Sequence, residues 1–475
     1  MTMNLQEFRK YAHRFADWMA DYYEKIEKYP VKSQVKPGEI LSHLPDAPPQ
    51  KGESTDQIFK DFNSLILPGM THWQSPNYFA YFTANTSYPS VLAEMLTAAI
   101  AAQCMIWETS PAAAELEEKV MNWLKKMIGL PDCFEGVIQD TASTAFLVSL
   151  LTAREKYTGY SVNENGYSGN EKLRVYCSAE THSSIEKGVK IAGLGKNNIV
   201  KVEMDPALAI IPSRLREAIE KDLQNGLKPF CVVATLGTTG TLAIDPLHKI
   251  AVICDEYKLW LHVDAAFAGT ALVLPENRWM TIGIDHVDSF VFNPHKWMFT
   301  NFDCSAYFVR DKEALIRTFE ILPEYLKTKT RGEVNDYRDW GIQLGRRFRA
   351  LKLWFVIRDY GVEGIAGKVD EHIELAKELA EKIKNTDGFV LFEPQHFNVI
   401  CFRYQPDNTH SNEEINDLNQ KLLQRLNESG KIYLTHTRIN GLITLRMVIA
   451  QTYVEKRHVN KAWELIKEMA DSLRI

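Results

Sequence analysis

An α/β fold on a mainly parallel central sheet is what this chain predicts, and three observations carry that prediction. Short apolar runs, among them Val137-Ile138, residues 231–234, 259–263 and 290–292, alternate with stretches of helical periodicity. Runs that are apolar at successive positions suit strands covered by helices on both faces. Several of these runs end on a polar or small residue, as at Val263-Asp264 and Phe292-Asn293. Ligands of open α/β sheets bind at such carboxyl ends of strands. Finally, 475 residues are enough for two domains with a sizeable core.

Taken in order, the elements suggest three segments. In residues 1–86, Leu5, Phe8, Ala12, Phe15, Met19, Tyr22 and Ile26 recur at spacings of three and four, so a helix with one apolar seam is expected. A Pro-rich stretch follows at 30–49. The seam packs either on its own domain or across a dimer. Residues 87–365 hold the alternating strands and helices, and so the parallel sheet. Residues 366–475 read as a small α+β unit. Helical periodicity fills 371–384 there, strand-like runs occupy 389–392 and 399–402, and a helix covers 413–426. Two strands flank Asn440-Gly441, a hairpin signal, and a last helix spans 460–473.

Composition narrows the function. A net charge of −6 argues against a nucleic-acid binder. The seven cysteines are scattered, odd in number and without a CxxC pair, which suggests reduced thiols in a cytoplasm. The N-terminus reads neither as a signal peptide nor as a membrane span. HExxH, P-loop and GxSxG motifs are missing, and no metal is expected. Gly193-Leu194-Gly195 begins a dinucleotide pattern, but Asn198 stands where its last Gly belongs.

Lys296 carries the most information. It sits in Phe290-Val291-Phe292-Asn293-Pro294-His295-Lys296-Trp297, after an apolar strand. Burial disfavours the ammonium and makes the amine a usable nucleophile. Such lysines form Schiff bases with aldehydes, of which pyridoxal 5'-phosphate (PLP) is the commonest. A Lys after a strand is also an ordinary solvated end charge, so the other parts of a PLP site decide. Asp264 ends the run Trp260-Leu261-His262-Val263 and precedes Ala265-Ala266. A carboxylate there can keep a pyridine nitrogen protonated, or simply cap a helix. Thr141-Ala142-Ser143-Thr144 follows Val137-Ile138 and opens a helical stretch. It suits a phosphate on helix N–H groups and hydroxyls, or a plain capped N-terminus. His182 lies at another strand-to-helix junction, where caps are also common. The loop from Thr235 to Gly240 is a Gly/Thr turn or a close approach to a ligand.

Together these motifs closely resemble the aromatic-L-amino-acid decarboxylases, group II PLP-dependent decarboxylases of the aspartate aminotransferase fold (fold type I). The resemblance spans nearly the whole chain. It rests on His72-Trp73-Gln74-Ser75-Pro76, Tyr81-Phe82, Thr141-Ala142-Ser143-Thr144, His182-Ser183-Ser184 and residues 234–239. It continues through His262-Val263-Asp264-Ala265-Ala266, Asn293-Pro294-His295-Lys296-Trp297, Asn301-Phe302-Asp303-Cys304-Ser305 and Leu344-Gly345-Arg346-Arg347-Phe348-Arg349.

The resemblance implies that Lys296 binds PLP covalently, Asp264 pairs with the pyridine nitrogen and His182 stacks on the ring. It implies that Ala142, Ser143, Asn293 and His295 hold the phosphate, and that Thr239 and Ala266 line the ring. Tyr325 matches the family's catalytic tyrosine, a proton donor on a mobile loop, and the polar stretch 327–336 with Gly332 agrees with a lid. The resemblance also implies that Trp73, Tyr81, Phe82 and Met105 line the side-chain pocket of an aromatic substrate; read without it, such residues are core. Trp107 reads as core. A homodimer, packed through the N-terminal segment, is implied as well.

Two positions depart from the animal dopa decarboxylases. Met105 replaces a Phe and Ala84 a Thr, which puts dopa preference in doubt. Gly345 stands where some plant relatives carry a Ser that favours phenols, and this leans towards indoles. The resulting expectation is decarboxylation of tryptophan, tyrosine, phenylalanine or dopa to the amine and CO2. The rivals are an oxidative aldehyde synthase or another PLP enzyme, and a non-catalytic binding protein. Tyr325 speaks against the synthase, for which the resemblance leads to Phe. The intact Lys296, Asp264 and His182 speak against the binding protein.

Overall fold

The computed structural model describes residues 3–168, 172–321, 332–406 and 411–473. Its chain divides into two compact units. One combines residues 1–83, 378–391 and 400–475; the other combines 84–377 and 392–399.

The larger unit is organised by a seven-stranded sheet: β1 (Glu135–Gln139), β2 (Leu173–Ser178), β3 (Ile199–Val202), β4 (Lys228–Thr235), β5 (Trp260–Asp264), β6 (Ser289–Phe292) and β7 (Ser305–Val309). Their order is β1-β7-β6-β5-β4-β2-β3. Neighbours from β3 to β6 pair in parallel, whereas β7 is antiparallel to both β6 and β1. Only β7 is therefore reversed. The link from β6 to β7 holds only the four-residue helix Pro294–Trp297, in place of the covering helix that usually carries a parallel return. Every residue of β5, β6 and β7 is buried, as the continuous apolar runs predict. Side chains such as Val137, Phe146, Val175, Val233, Val291 and Tyr307 form the core, and Trp107 packs half-buried against it.

Since the other six strands run one way, the carboxyl ends of β1, β2, β4, β5 and β6 share one edge. The segments that leave this edge are shaped for close approach. Helix Ala142–Thr158 starts at Thr141, whose Oγ1 accepts the Thr144 N–H at 3.4 Å, and stops at Gly159 with φ +64°. After β4, Gly237 has φ +96°, and a Cβ there would come within 2.8 Å of both Leu242 and Ala268. Only glycine lets that loop fold so tightly.

The smaller unit has a four-stranded sheet of β8 (Phe389–Leu391), β9 (Val399–Tyr404), β10 (Thr435–Ile439) and β11 (Leu442–Val448), in the order β10-β11-β9-β8. The predicted hairpin is present: Ile439 pairs with Leu442 across Asn440 and Gly441, which have φ +51° and +81°. Trp463, from helix Lys456–Asp471, packs edge-on against Phe389 at 4.9 Å. The N-terminal helix spans Leu5–Glu24 behind an Asn4–Glu7 capping box and has no fully buried residue. Its seam is half used: Phe15 meets Phe59 at 4.8 Å and Trp18 donates to Asn63 at 2.9 Å, whereas Leu5 and Phe8 are exposed. The residues before Thr83 join the small sheet. Phe79 donates to the Tyr433 carbonyl and accepts from Val448 N–H, both at 3.0 Å.

Candidate active site

The nine expected cofactor residues all lie in the larger unit, on or just after the strand ends of that one edge. Two backbone bonds join the loops after β5 and β6: Ala265 N–H donates to Val291 O, and Asn293 N–H to Ala266 O, each at 3.0 Å. This places the Asp264 loop beside the Lys296 loop. Lys296 follows on the short helix, half-buried rather than sealed in the core. Asn85 anchors its backbone, since Asn85 Nδ2 donates to Lys296 O at 2.6 Å and Asn85 N–H to His295 O at 3.1 Å. Sequence reasoning missed Asn85. Its only local signal is a polar Asn-Thr-Ser run between an aromatic pair and a helix start.

Asp264 is 7% exposed. Its Oδ1 accepts the Ala266 N–H at 3.0 Å, and its Oδ2 accepts nothing from the described residues. The carboxylate thus keeps one oxygen for an outside donor. His182 Nδ1 accepts the Ser184 N–H at 3.1 Å and faces Ser184 Oγ at 2.8 Å. Accepting at Nδ1 leaves the proton on Nε2 of a neutral ring. Burial lowers the His182 pKa, Asp264 raises it and Lys296 lowers it further. Those influences place the three side chains in one electrostatic neighbourhood. A neutral ring can lie flat on a cationic pyridinium without repulsion.

His295 follows the same logic more strongly. Its Nδ1 accepts the Cys304 N–H at 2.8 Å, and burial, followed by Lys296 and Lys352, lowers its pKa to about 3. It is a neutral Nε2–H donor at any physiological pH. Asn293 Oδ1 accepts from Ser305 Oγ at 2.6 Å, so its amide N–H groups remain to donate. Ala142 and Ser143 are the first two residues of a seventeen-residue helix, half-buried and exposed respectively. Their N–H groups lack helical acceptors and stand at the positive end of the helix dipole. Asp140 is kept at the base of that turn: burial opposes its ionisation, but hydrogen bonds from Thr144, Gln343 and Thr141 hold its pKa below the ordinary value. Thr239 is exposed and Ala266 half-buried.

The donor set fits PLP. A free carboxylate oxygen suits a pyridinium N–H, neutral imidazole, amide and helix-end N–H groups suit a dianionic phosphate, and a half-buried amine suits an aldehyde. Tyr325 lies outside the described residues. Trp73, Tyr81 and Phe82 lie in the smaller unit. There Trp73 stacks on Tyr78 at 4.6 Å and on Tyr81 at 6.1 Å, and Tyr81 is exposed. Met105 lies in the larger unit, half-buried, with its carbonyl accepting Arg338 N–H at 2.9 Å. Next to Gly345, a Cβ would meet Gln103 Nε2 at 3.3 Å, so any side chain there would press on that amide.

A fold with all these groups on one sheet edge defines a PLP-dependent enzyme. The chain belongs to the pyridoxal-dependent decarboxylases, whose conserved domain matches residues 37–405. It is a PLP-dependent carboxy-lyase. The chain is 42% identical to tryptophan decarboxylase 2 of Oryza sativa subsp. japonica over 478 residues, covering 98% of this chain and 95% of that protein. It is also 42% identical to phenylacetaldehyde synthase of Arabidopsis thaliana over 481 residues, covering 99% and 97%. Among solved structures, Catharanthus roseus tryptophan decarboxylase in complex with L-tryptophan superposes with a TM-score of 0.93 at 38% identity, over the full length of both chains.

Proposed function

We propose that this protein decarboxylates aromatic L-amino acids, tryptophan, tyrosine, phenylalanine or dopa, to the corresponding amines. The observation that carries the reading is the grouping of Lys296, Asp264 and His182 at the carboxyl edge of the sheet. Trp73 and Tyr81, stacked on one another, support the substrate class.

Bound PLP supplies the electron sink that takes up the bonding pair when the carboxylate leaves. The protein's residues prepare that step. Lys296 would hold the cofactor by its amine. Asp264 Oδ2 would accept from the pyridinium N–H and keep the ring cationic. His182, neutral and fixed by Ser184, would stack on the ring, with Thr239 and Ala266 lining it. Ala142, Ser143, Asn293 and His295 would offer N–H donors to the phosphate. Tyr325 gives a proton to the substrate α-carbon, which makes the product an amine.

The test is incubation of the purified protein with these four amino acids and glutamate, scored for amine, aldehyde and keto acid. Aromatic amines are the expected products. An acidic side chain would lose its hydration in an apolar pocket, so 4-aminobutyrate as main product would refute the substrate class. The relation to an aldehyde synthase supports a second reading, in which the same site uses dissolved oxygen to convert the substrate to an aldehyde, releasing CO2, ammonia and peroxide. Tyr325 favours the amine.

We further propose a homodimer with residues 1–86 as its dimerisation segment. Leu5 and Phe8 on the N-terminal helix stay exposed in the single chain, as do Leu92, Leu96 and Ile100 on helix Tyr88–Ile100. Light scattering should report twice the chain mass. A cytoplasmic location fits seven unbridged cysteines. Among the described residues no helix is long and apolar enough to cross a membrane.

A further inference from the structure

Arg446 occupies a central strand of the small sheet, on β11 opposite Thr435, and is 3% exposed. An arginine at such a position is unusual, because burying a guanidinium removes its hydration. Burial brings its pKa down to about 10, still far enough above neutrality to keep it charged. Its Nη1 donates to the carbonyl of Tyr81 at 2.8 Å, and its guanidinium lies over the Phe82 ring at 4.7 Å. One side chain therefore grips both residues of the Tyr81-Phe82 pair, the first by its backbone and the second by its ring.

That grip falls where the backbone departs from its ordinary preference. Tyr81 has φ +49°, in the left-handed region that a tyrosine adopts only at a cost. The residues before it are fully buried: Tyr78, Phe79 and Ala80 each have no exposed surface. The left-handed turn at Tyr81 lifts its ring out to 50% exposure, beside Trp73. Without a bond at its carbonyl, the chain could relax to extended φ and swing the ring away. The charge-assisted bond is of the strong kind, and the planar fork stacks on an aromatic ring as an ammonium cannot.

We infer that Arg446 is a positioning residue for the aromatic recognition face: it holds the Tyr81-Phe82 peptide so that Tyr81 and Trp73 are presented to the substrate ring. The inference rests on the reading of Tyr81 and Trp73 as substrate-lining residues.

The experiment is a double-mutant cycle on the PLP-loaded full-length enzyme, with Arg446→Met and Tyr81→Ala alone and together, plus Arg446→Lys. The readouts are kcat and KM for tryptophan, the visible cofactor band and the melting temperature. We expect Arg446→Met to raise KM about tenfold with kcat within about threefold and the cofactor band unchanged. Arg446→Lys, which keeps one donor to the carbonyl but not the stack, should raise KM by about threefold. In the Tyr81→Ala background the Arg446→Met change should add less than about twofold, because residues acting through one another are not additive. A KM within about twofold of wild type in a folded Arg446→Met protein overturns the inference, as do additive effects. Should Arg446→Met not fold, Arg446→Lys decides by the same KM criterion and the same cycle. The underlying reading fails separately: if Tyr81→Ala and Trp73→Ala both leave KM unchanged, the recognition face is misassigned.

Discussion

Replacing Asp264 by Asn tests the electronic core of the site with almost no change of shape. In the structure Oδ1 accepts the Ala266 N–H, and an asparagine oxygen can keep that bond. The other oxygen would become an NH2 group, a donor facing the place of a pyridinium donor. The cofactor nitrogen must then lose its proton, and the ring its positive charge. At 7% exposure the site is shielded from bulk water, so an effective dielectric near 20 is appropriate. Two unit charges in hydrogen-bond contact then attract by about 5 kcal/mol. Part of this also stabilises the resting cofactor; if some 4 kcal/mol is specific to the transition state, the rate falls on the order of a thousandfold. The assay is amine formation from tryptophan at saturating PLP, with the visible band confirming that cofactor is bound. The melting temperature should change little, since the Ala266 bond survives. A loss of tenfold or less with cofactor bound would refute the reasoning and leave Asp264 as a cap of its loop.

Lys296→Ala should abolish turnover and the visible band of bound cofactor while still allowing PLP to bind through its phosphate; wild-type turnover would refute its role. Tyr325→Phe should still release CO2, but the product should shift from amine to aldehyde with oxygen consumed and peroxide formed, which product analysis with and without oxygen will show. Acidification should weaken the fold through buried neutral histidines: burial lowers the pKa of His262 to about 4 and of His372 to about 3, whereas in the unfolded chain each sits near 6.5. A histidine with a depressed folded pKa contributes stability that is present above about pH 6.5 and lost as pH falls towards the folded value, about 2 kcal/mol each between pH 7 and pH 5. His372→Gln, which can keep an acceptor for Trp297 Nε1 (3.0 Å in the wild type), should remove one histidine's share of that loss; a urea-unfolding difference between the two pH values that matches wild type would contradict this.

How much of this could be read along the chain depends on the range of each interaction. The strand ends were legible because β5 and β6 are apolar at successive positions and stop on Asp264 and Asn293. A helix start was legible from Thr141, and the hairpin from Asn440-Gly441, since caps and tight turns are set by residues two to four apart. Asn85 was not legible, because its bonds to the backbone of His295 and Lys296 span about two hundred residues and the polar run 85–87 does not point to them. Nor was the protonation of the cofactor site: burial holds His182 and His295 neutral, and the Ser184 and Cys304 N–H groups meeting their Nδ1 atoms leave the proton on Nε2.

By itself, then, the sequence determined the chemistry: which amine, which carboxylate and which rings stand at strand ends, because periodicity and junction residues report on burial and turning nearby. Only the tertiary structure decided what those groups meet. It reversed β7, whose link from β6 carries only a four-residue helix in place of a covering crossover helix. It laid residues 78–82 against β11, so that Arg446, read along the chain as one more strand residue, became the buried clamp of a tyrosine 365 positions away. Which face of an element is buried is written in its periodicity; which distant backbone it is buried against depends on the summed packing of the whole chain, and no local pattern encodes it.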